Sequence, residues 1–453
     1  MTQKVLPSNP LVAVSDNGAP ITSDGGNVRL SMFLNSPVVS SLFNNVEFKD
    51  NRKNPRYPKV ELLLQMLIQV IEGYRNDDVA DYLTQDIEHR LIYAQNVASQ
   101  PTISRFLSHL TNEDIDELQA LNRRIVSLLD ERSANTELVL DLDSTYFEDF
   151  GHQEKIGFNY HYLNVGYNPL IMTDALTGTV RQVSLRSGNT YTGNGATEFV
   201  QGYLSTSLSA QHQTIILRGD SGFATPDLME TLEGNNIFYT IRLKSNPRLK
   251  RMALDGRYVN LDNLLMIEGQ LTTDEFEYQA ASLDKARRVI ILNDEHGGTQ
   301  FIVTNLSLPQ KDIVRVYRKR AAIEDIIRDL KGGFAFGKTD SSSFFANEAR
   351  MWISVIASNL MRLMKSIALD DQQQSWTINT FRDRLLKIRG RVTKHARKVI
   401  LTLDSSIQEQ FDGLFWRAWE RPKCFVAIKQ RSRFSKNSKI WLVLVCPFFS
   451  ENA

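Results

Sequence analysis

The sequence predicts a mixed α/β catalytic core with helical regions on either side, and three observations point there. At 453 residues the chain exceeds what one hydrophobic core normally covers, so a main domain and smaller ones are expected. From residue 133 strand-like apolar runs come first and then alternate with amphipathic stretches. Before residue 132 and after residue 307 the apolar residues recur at three- and four-residue steps, the period of a helix.

Composition narrows the function classes. A formal net charge of +1 requires any nucleic-acid surface to be local. The two cysteines, Cys424 and Cys446, lie near the C-terminus, so no disulfide framework braces the body of the chain, as in a reducing, cytoplasmic compartment. The N-terminus lacks the charged-then-apolar pattern of a signal peptide. The most apolar tail segment, "IWLVLVCPFF", falls short of the roughly 20 residues a spanning helix needs, and a membrane role is not expected.

In chain order, residues 1–49, rich in Gly, Asn, Pro and Ser, read as a poorly ordered arm. Residues 50–132 read as a helical region: Leu63, Leu64, Leu67, Ile68 and Ile71 form one stripe, Gly73 is a stop, and Ser99 with Pro101 opens a further helix. That helix offers Thr102, Ser104 and Arg105 in its first turns, as the reading helix of a helix-turn-helix does. An ordinary polar face is the alternative. Residues 133–248 hold the runs "ELVLDLDSTYF", "FNYHYLNVGY", "TVRQVSLRS", "TIILRGD" and "IFYTIRL" as strands, with "GATEFVQGYLSTSL" and "TPDLMETLEG" as helices. Residues 249–306 read as a mostly β insertion. Residues 307–412 return to helices, the first running from Pro309 to a stop at Gly332-Gly333, the last ending near Leu403. Residues 413–453 have no clear period and receive no functional account.

"LRGDSGF", residues 217–223, contains the tripeptide of integrin ligands and resembles the nucleophile segment of chymotrypsin-like proteases. Phe223 stands where the protease motif continues with glycine, and the integrin reading needs an exposed extracellular loop. A third reading makes Asp220 a carboxylate delivered by the end of a buried strand. In "LVLDLDST", Asp141 and Asp143 share one face of a strand, because side chains alternate. Asp143, nearer the strand end, is the better candidate acid. After the β insertion, Tyr317, Arg320, Glu324 and Lys331 fall at offsets 0, 3, 7 and 14, within roughly 60° of one helical face. Asp325 points elsewhere. A salt-bridged solvent face is the plain alternative.

Tyr317-x2-Arg320-x3-Glu324-x6-Lys331, downstream of "DST" and "GDSGF", resembles the Y-R-E-K signature of bacterial insertion-sequence transposases of the DDE class, with the similarity spanning roughly residues 50–410. The resemblance implies an RNase H-like core interrupted by the β insertion, and a triad of Asp143, Asp220 and Glu324 holding Mg2+, with Mn2+ as a substitute. The triad would hold two such ions, one activating water or a 3′-hydroxyl and the other stabilising the leaving oxygen. It further implies that Tyr317, Arg320 and Lys331 contact DNA at the cleaved end, and that a homodimer acts on paired terminal inverted repeats and target DNA in the bacterial nucleoid. Two basic stretches suit a DNA path: "IRLKSNPRLKR", with Arg242, Lys244, Arg248, Lys250 and Arg251, and "FRDRLLKIRGRVTKHARK". The rival readings are an RNase H-like nuclease that cuts without joining, and an inactive sequence-specific DNA-binding protein.

Overall fold

The computed structural model describes residues 4–6, 9–14, 21–86, 89, 93, 96–207, 212–255, 265–267, 271–293, 298–369, 371–395 and 398–403. The expected tail, 413–453, lies outside the described residues. The chain forms two compact units, one of residues 1–46, 53–104 and 364–453, the other of residues 47–52 and 105–363. The helical stretch expected as one region over 50–132 is thereby shared between them.

In the first unit, β1 (Lys4–Leu6) pairs with β2 (Asn9–Val14) and β3 (Ile21–Thr22) follows. Two helices then stand where a poorly ordered arm was expected: α1 (Asn27–Leu34) and α2 (Pro37–Asn44). Ser36 caps α2 by accepting from the Val39 N–H at 3.4 Å, with Pro37 in the first turn. The start of α1 is fixed from far along the chain. Gly25 N–H donates to the Ile388 carbonyl at 2.8 Å, and a Cβ on Gly26 would sit 2.0 Å from the Leu385 oxygen. Local composition cannot show such a tie, so the Gly- and Ser-rich stretch reads as loose.

Helix α3 (Lys59–Glu72) ends at Gly73 in the left-handed region, φ 98°, and α4 (Val79–Gln85) follows. The helices expected to run to Leu403 stop earlier. Residues 390–395 and 398–403 form an antiparallel hairpin that also pairs with β3, because the β-branched run "VILTL" suits a pleated surface. Within the second basic stretch, Arg382 is buried and donates to the Ile71 and Val70 carbonyls at 2.7 and 2.8 Å, so its charge serves packing. Arg384, Lys387, Arg389 and Arg391 are exposed.

This unit also buries Glu72, which accepts from Tyr93 Oη at 2.8 Å and Asn27 Nδ2 at 2.5 Å. Burial pushes its carboxyl up to about 8, and pushes nearby His89 down to about 4. Glu72 therefore stays protonated at neutral pH in the folded chain and ionises on unfolding. A raised folded pKa gives stability that is full below pH 4.5 and is lost as pH rises through 8. Glu72→Gln keeps the neutral form and supplies an N–H beside the unpartnered Asn27 Oδ1. The expected result is a higher Tm, by an amount that grows from pH 5 to pH 8, where the added stability is on the order of a few kcal/mol, read by thermal melts across that range.

The second unit is built on a nine-stranded mixed sheet. Strand β4 (Glu137–Ser144) lies third from one edge, with β8 (Leu170–Asp174) antiparallel beside it and β9 (Val180–Ser184) at that edge. On its other side β10 (Thr214–Gly219) and then β11 (Phe238–Leu243) run parallel to it. Three antiparallel strands followed by parallel crossovers give the expected RNase H-like α/β core. Helix α6 (Asn112–Arg132) precedes the sheet, and helices α7 (Ala196–Ser207) and α8 (Pro226–Gly234) supply the crossovers, α8 being capped by Thr225. Strands β12 (Leu265–Ile267), β13 (Leu271–Tyr278), β14 (Arg287–Asn293) and β15 (Thr299–Thr304) extend this same sheet from β11. The β-rich stretch of 249–306 thus continues the core hydrogen-bond ladder.

One strand escapes the sequence pattern. "LIMTD" in β8 is buried at all five positions, so it lacks the period-two alternation that marks a strand. Conversely, "FNYHYLNVGY" is a hairpin outside the central sheet: β6 (Gly157–Asn159) and β7 (Asn164–Tyr167) join β5 (Phe147–Glu148) in a small three-stranded sheet.

Candidate active site

The apolar faces of the strands aim the acids. Leu138, Leu140 and Leu142 of β4 enter the main core, so Asp141 and Asp143 share the opposite face. Along β10 the matching face carries Ile216, Arg218 and, just past the strand, Asp220. Ile216 packs there with Ile313 and Val314 of α9 (Gln310–Arg318), which fixes that helix over the strand ends.

The expected single helix is broken. Residues 319–321 form a 3₁₀ turn between α9 and α10 (Ala322–Phe334). Gly332 and Gly333 do not stop α10; both lie inside it, and it ends at Ala335 with φ 56°. An ideal helical wheel therefore does not hold from Tyr317 to Glu324, since a 3₁₀ turn rotates about 120° per residue rather than 100°.

Asp143 Oδ2 accepts from Arg320 Nη2 at 2.9 Å, and Asp143 Oδ1 accepts from the Ser144 N–H at 2.9 Å. Burial, with the negative charges of Asp220 and Glu324, raises the Asp143 carboxyl to about 6 against the pull of Arg320. Asp220 is half-buried, its Oδ1 accepting from the Gly222 N–H at 2.8 Å. Phe223, fully buried, anchors this turn. Glu324 is exposed on the first turn of α10. Asp325 pairs with Arg328 in solvent at 2.5 Å.

Tyr317 is half-buried; desolvation raises its hydroxyl, and the charges of Arg320, Arg242, Asp220 and Asp143 all act on it. Arg242 is exposed, as are Lys244 and Arg248. Lys331 is turned inward: its Nζ donates to the Tyr146 carbonyl at 2.9 Å and sits 5.6 Å from the Phe147 ring, and burial lowers its pKa. Tyr146 stacks on Tyr162 with ring centroids 4.6 Å apart. In the other unit, Thr102 is half-buried beside Ser99 at 3.2 Å and Ser104 is exposed; Arg105, the next residue along helix α5 (Gln100–Ser108), is exposed too.

Two further residues belong to this region: Arg218, which the sequence left without a role, and Asp141, the other acid on its strand face. Arg218 is 2% exposed and grips Asp141, 0% exposed, through two hydrogen bonds, which ends any reading of Arg218-Gly219-Asp220 as a displayed tripeptide. The signal was present in the spacing: each lies two residues before a candidate acid.

Three carboxylates from three elements, with a guanidinium as the resident cation on one of them, make an oxygen donor set suited to a hard divalent ion. Among the described residues no three acidic, histidine or cysteine side chains stand close enough to enclose an ion as they are. The acids face one another electrostatically and are held apart, with Arg320 supplying the positive charge at Asp143. The donor chemistry, carboxylate oxygens alone, is that of a hard divalent ion.

A family model described as transposase DDE domain, group 1, matches residues 5–421. Among solved structures, the chain is similar to the piggyBac transposase synaptic complex with hairpin DNA, at 10% identity over 80% of each chain and a TM-score of 0.43. It is also similar to the Mos1 mariner paired-end complex with Mn, at 14% identity over 47% of this chain and 75% of that one, with a TM-score of 0.17. Likenesses of that extent carry no functional argument. No curated protein matches the chain. Among the described residues no helix is long and apolar enough to cross a membrane.

Proposed function

The chain belongs to the transposase DDE domain family, group 1, and from that premise we propose that it cleaves transposon ends and joins the freed 3′-hydroxyl strand to target DNA at Asp143, Asp220 and Glu324. The observation that supports these three is electrostatic: Asp220 and Glu324 both act on Asp143, although they lie 77 and 181 residues from it along the chain.

Asp143, Asp220 and Glu324 would hold divalent metal, Mg2+ or Mn2+, which supplies charge neutralisation at the attacking and leaving oxygens of the phosphoryl transfer. The protein's own groups do the rest. The ends of β4 and β10 present two carboxylates on one face, and α10 presents the third. Arg320, with a planar fork of donors, is built to take a DNA phosphate once it leaves Asp143. Tyr317 offers a ring and hydroxyl beside Arg320 and Arg242, while Arg242, Lys244 and Arg248 line an exposed basic path for the backbone. Lys331 holds the Tyr146 carbonyl and so supports the segment just beyond Asp143. Action as a homodimer on paired ends belongs to the same proposal.

The test is joining of a labelled, pre-cut transposon end to supercoiled plasmid in Mg2+. Joined product supports the transposase; cutting without joining would favour the nuclease, and binding alone an inactive DNA-binding protein. The raised pKa of Asp143 adds a pH dependence. A ligand protonated below about pH 6 must lose its proton to bind metal, so metal affinity should fall by up to about tenfold per pH unit below 6. Calorimetric Mn2+ titrations at pH 5, 6 and 7.5 read this directly; equal affinity at all three would remove Asp143 from the ligand set.

A further inference from the structure

The buried pair Arg218–Asp141 joins the two strands that carry acids to α9, the helix that leads to the third. Arg218 Nε and Nη2 donate to Asp141 Oδ1 and Oδ2 at 2.6 and 2.7 Å, across the parallel β10–β4 pair in which the two residues are direct partners. The remaining terminal nitrogen, Nη1, donates to the Val316 carbonyl at 2.7 Å. Val316 precedes Tyr317, and the 3₁₀ turn that leads to Glu324 begins three residues after it.

Spacing turns this contact into a device. Asp141 lies two residues before Asp143 and Arg218 two before Asp220, so each clamp residue shares a sheet face with the acid it precedes. One guanidinium therefore ties both acid-bearing strand ends to the helix that leads to the third acid. Its fork fixes direction as well as distance, which a lysine ammonium cannot do.

We propose that Arg218 and Asp141 are positioning residues for DNA joining: they set where α9, the 3₁₀ turn and α10 stand relative to the ends of β4 and β10. This rests on the reading of Asp143, Asp220 and Glu324 as the reacting site. A role in fold stability alone is the competing account. The two separate cleanly, because a buried ion pair replaced on both sides by apolar residues of similar volume is commonly tolerated.

The experiment is the double variant Arg218→Met with Asp141→Leu, which fills the core but leaves the Val316 carbonyl without its tether. The expected variant melts near the wild-type temperature and binds a pre-cut end with unchanged affinity. Its joining rate falls about 30- to 100-fold, the scale of a displacement of about 1 Å at a reacting group. Mn2+ binding by calorimetry, without DNA, weakens by about tenfold as the acids lose their common frame. Wild-type joining and wild-type Mn2+ affinity in the folded double variant would overturn the proposal and leave the pair a stabilising contact. Should the double variant fail to fold, Arg218→Lys decides: it keeps the charge opposite Asp141 but not the fork. Weakened Mn2+ binding then supports positioning, and unchanged binding overturns it. Failure of the transposase reading looks different, since wild-type protein would then bind ends without joining them while the Mn2+ comparison still stands.

Discussion

Glu324→Gln should abolish joining while leaving end binding intact, and Asp143→Asn and Asp220→Asn should do the same. Each substitution keeps side-chain size and removes the charge a hard cation needs. Charge stabilisation by a bound ion in phosphoryl transfer amounts to several kcal/mol, and each 1.36 kcal/mol is tenfold in rate, so the expected loss is on the order of 10³-fold or more. Binding should persist because these changes leave alone Arg242, Lys244 and Arg248, the cations proposed to meet the phosphate backbone. Asp325→Asn is the control. Asp325 spends its charge on Arg328 in solvent, where an ion pair contributes little, and its loss should leave joining within about twofold. The assay is joining of a labelled end to plasmid, with end binding measured in parallel by gel shift. Full activity in Glu324→Gln together with loss in Asp325→Asn would show that α10 presents its other face to the DNA.

Arg320→Ala should have opposite effects on metal and on DNA. Arg320 holds Asp143 Oδ2 at 2.9 Å, so an ion taking that oxygen must displace a charge-assisted hydrogen bond contributing about 1.5–3 kcal/mol. Removing the guanidinium should tighten Mn2+ binding about tenfold or more in the absence of DNA. Joining should nevertheless fall by about 100-fold, because the planar partner proposed for the phosphate is removed. Calorimetry and the joining assay on one preparation read both. Weaker Mn2+ binding in Arg320→Ala would mean that the arginine assembles the acids rather than occupying the ion's place.

Much of this architecture is legible in the sequence where the signal is local. The run around Asp143 reads as a strand because Leu140 and Leu142 alternate with Asp141 and Asp143, that before Asp220 because Ile215, Ile216 and Leu217 form a short apolar run, and α3 reads to its end because Gly73 takes a backbone angle other residues avoid. Where local pattern and local structure part, the cause is burial or distance. Strand β8 is covered on both faces and so shows no alternation. Helix α1 depends on Leu385 and Ile388, more than 350 residues away, and "FNYHYLNVGY" turns back on itself at Leu163, φ 53°.

The sequence by itself determined which side chains could carry the chemistry: acids at strand ends and the spacing Tyr317, Arg320, Glu324, Lys331 are properties of neighbouring residues and of fixed backbone periods. Only the tertiary structure decided how those residues are used. It broke the expected helix at 319–321, turned Lys331 inward to Tyr146, set Arg320 on Asp143, and buried Arg218 against Asp141 and the Val316 carbonyl. The physical reason is that periodicity fixes a side chain's direction within its own element, while its partner is fixed by the packing of other elements, and a buried charge takes whatever partner that packing brings within hydrogen-bond reach.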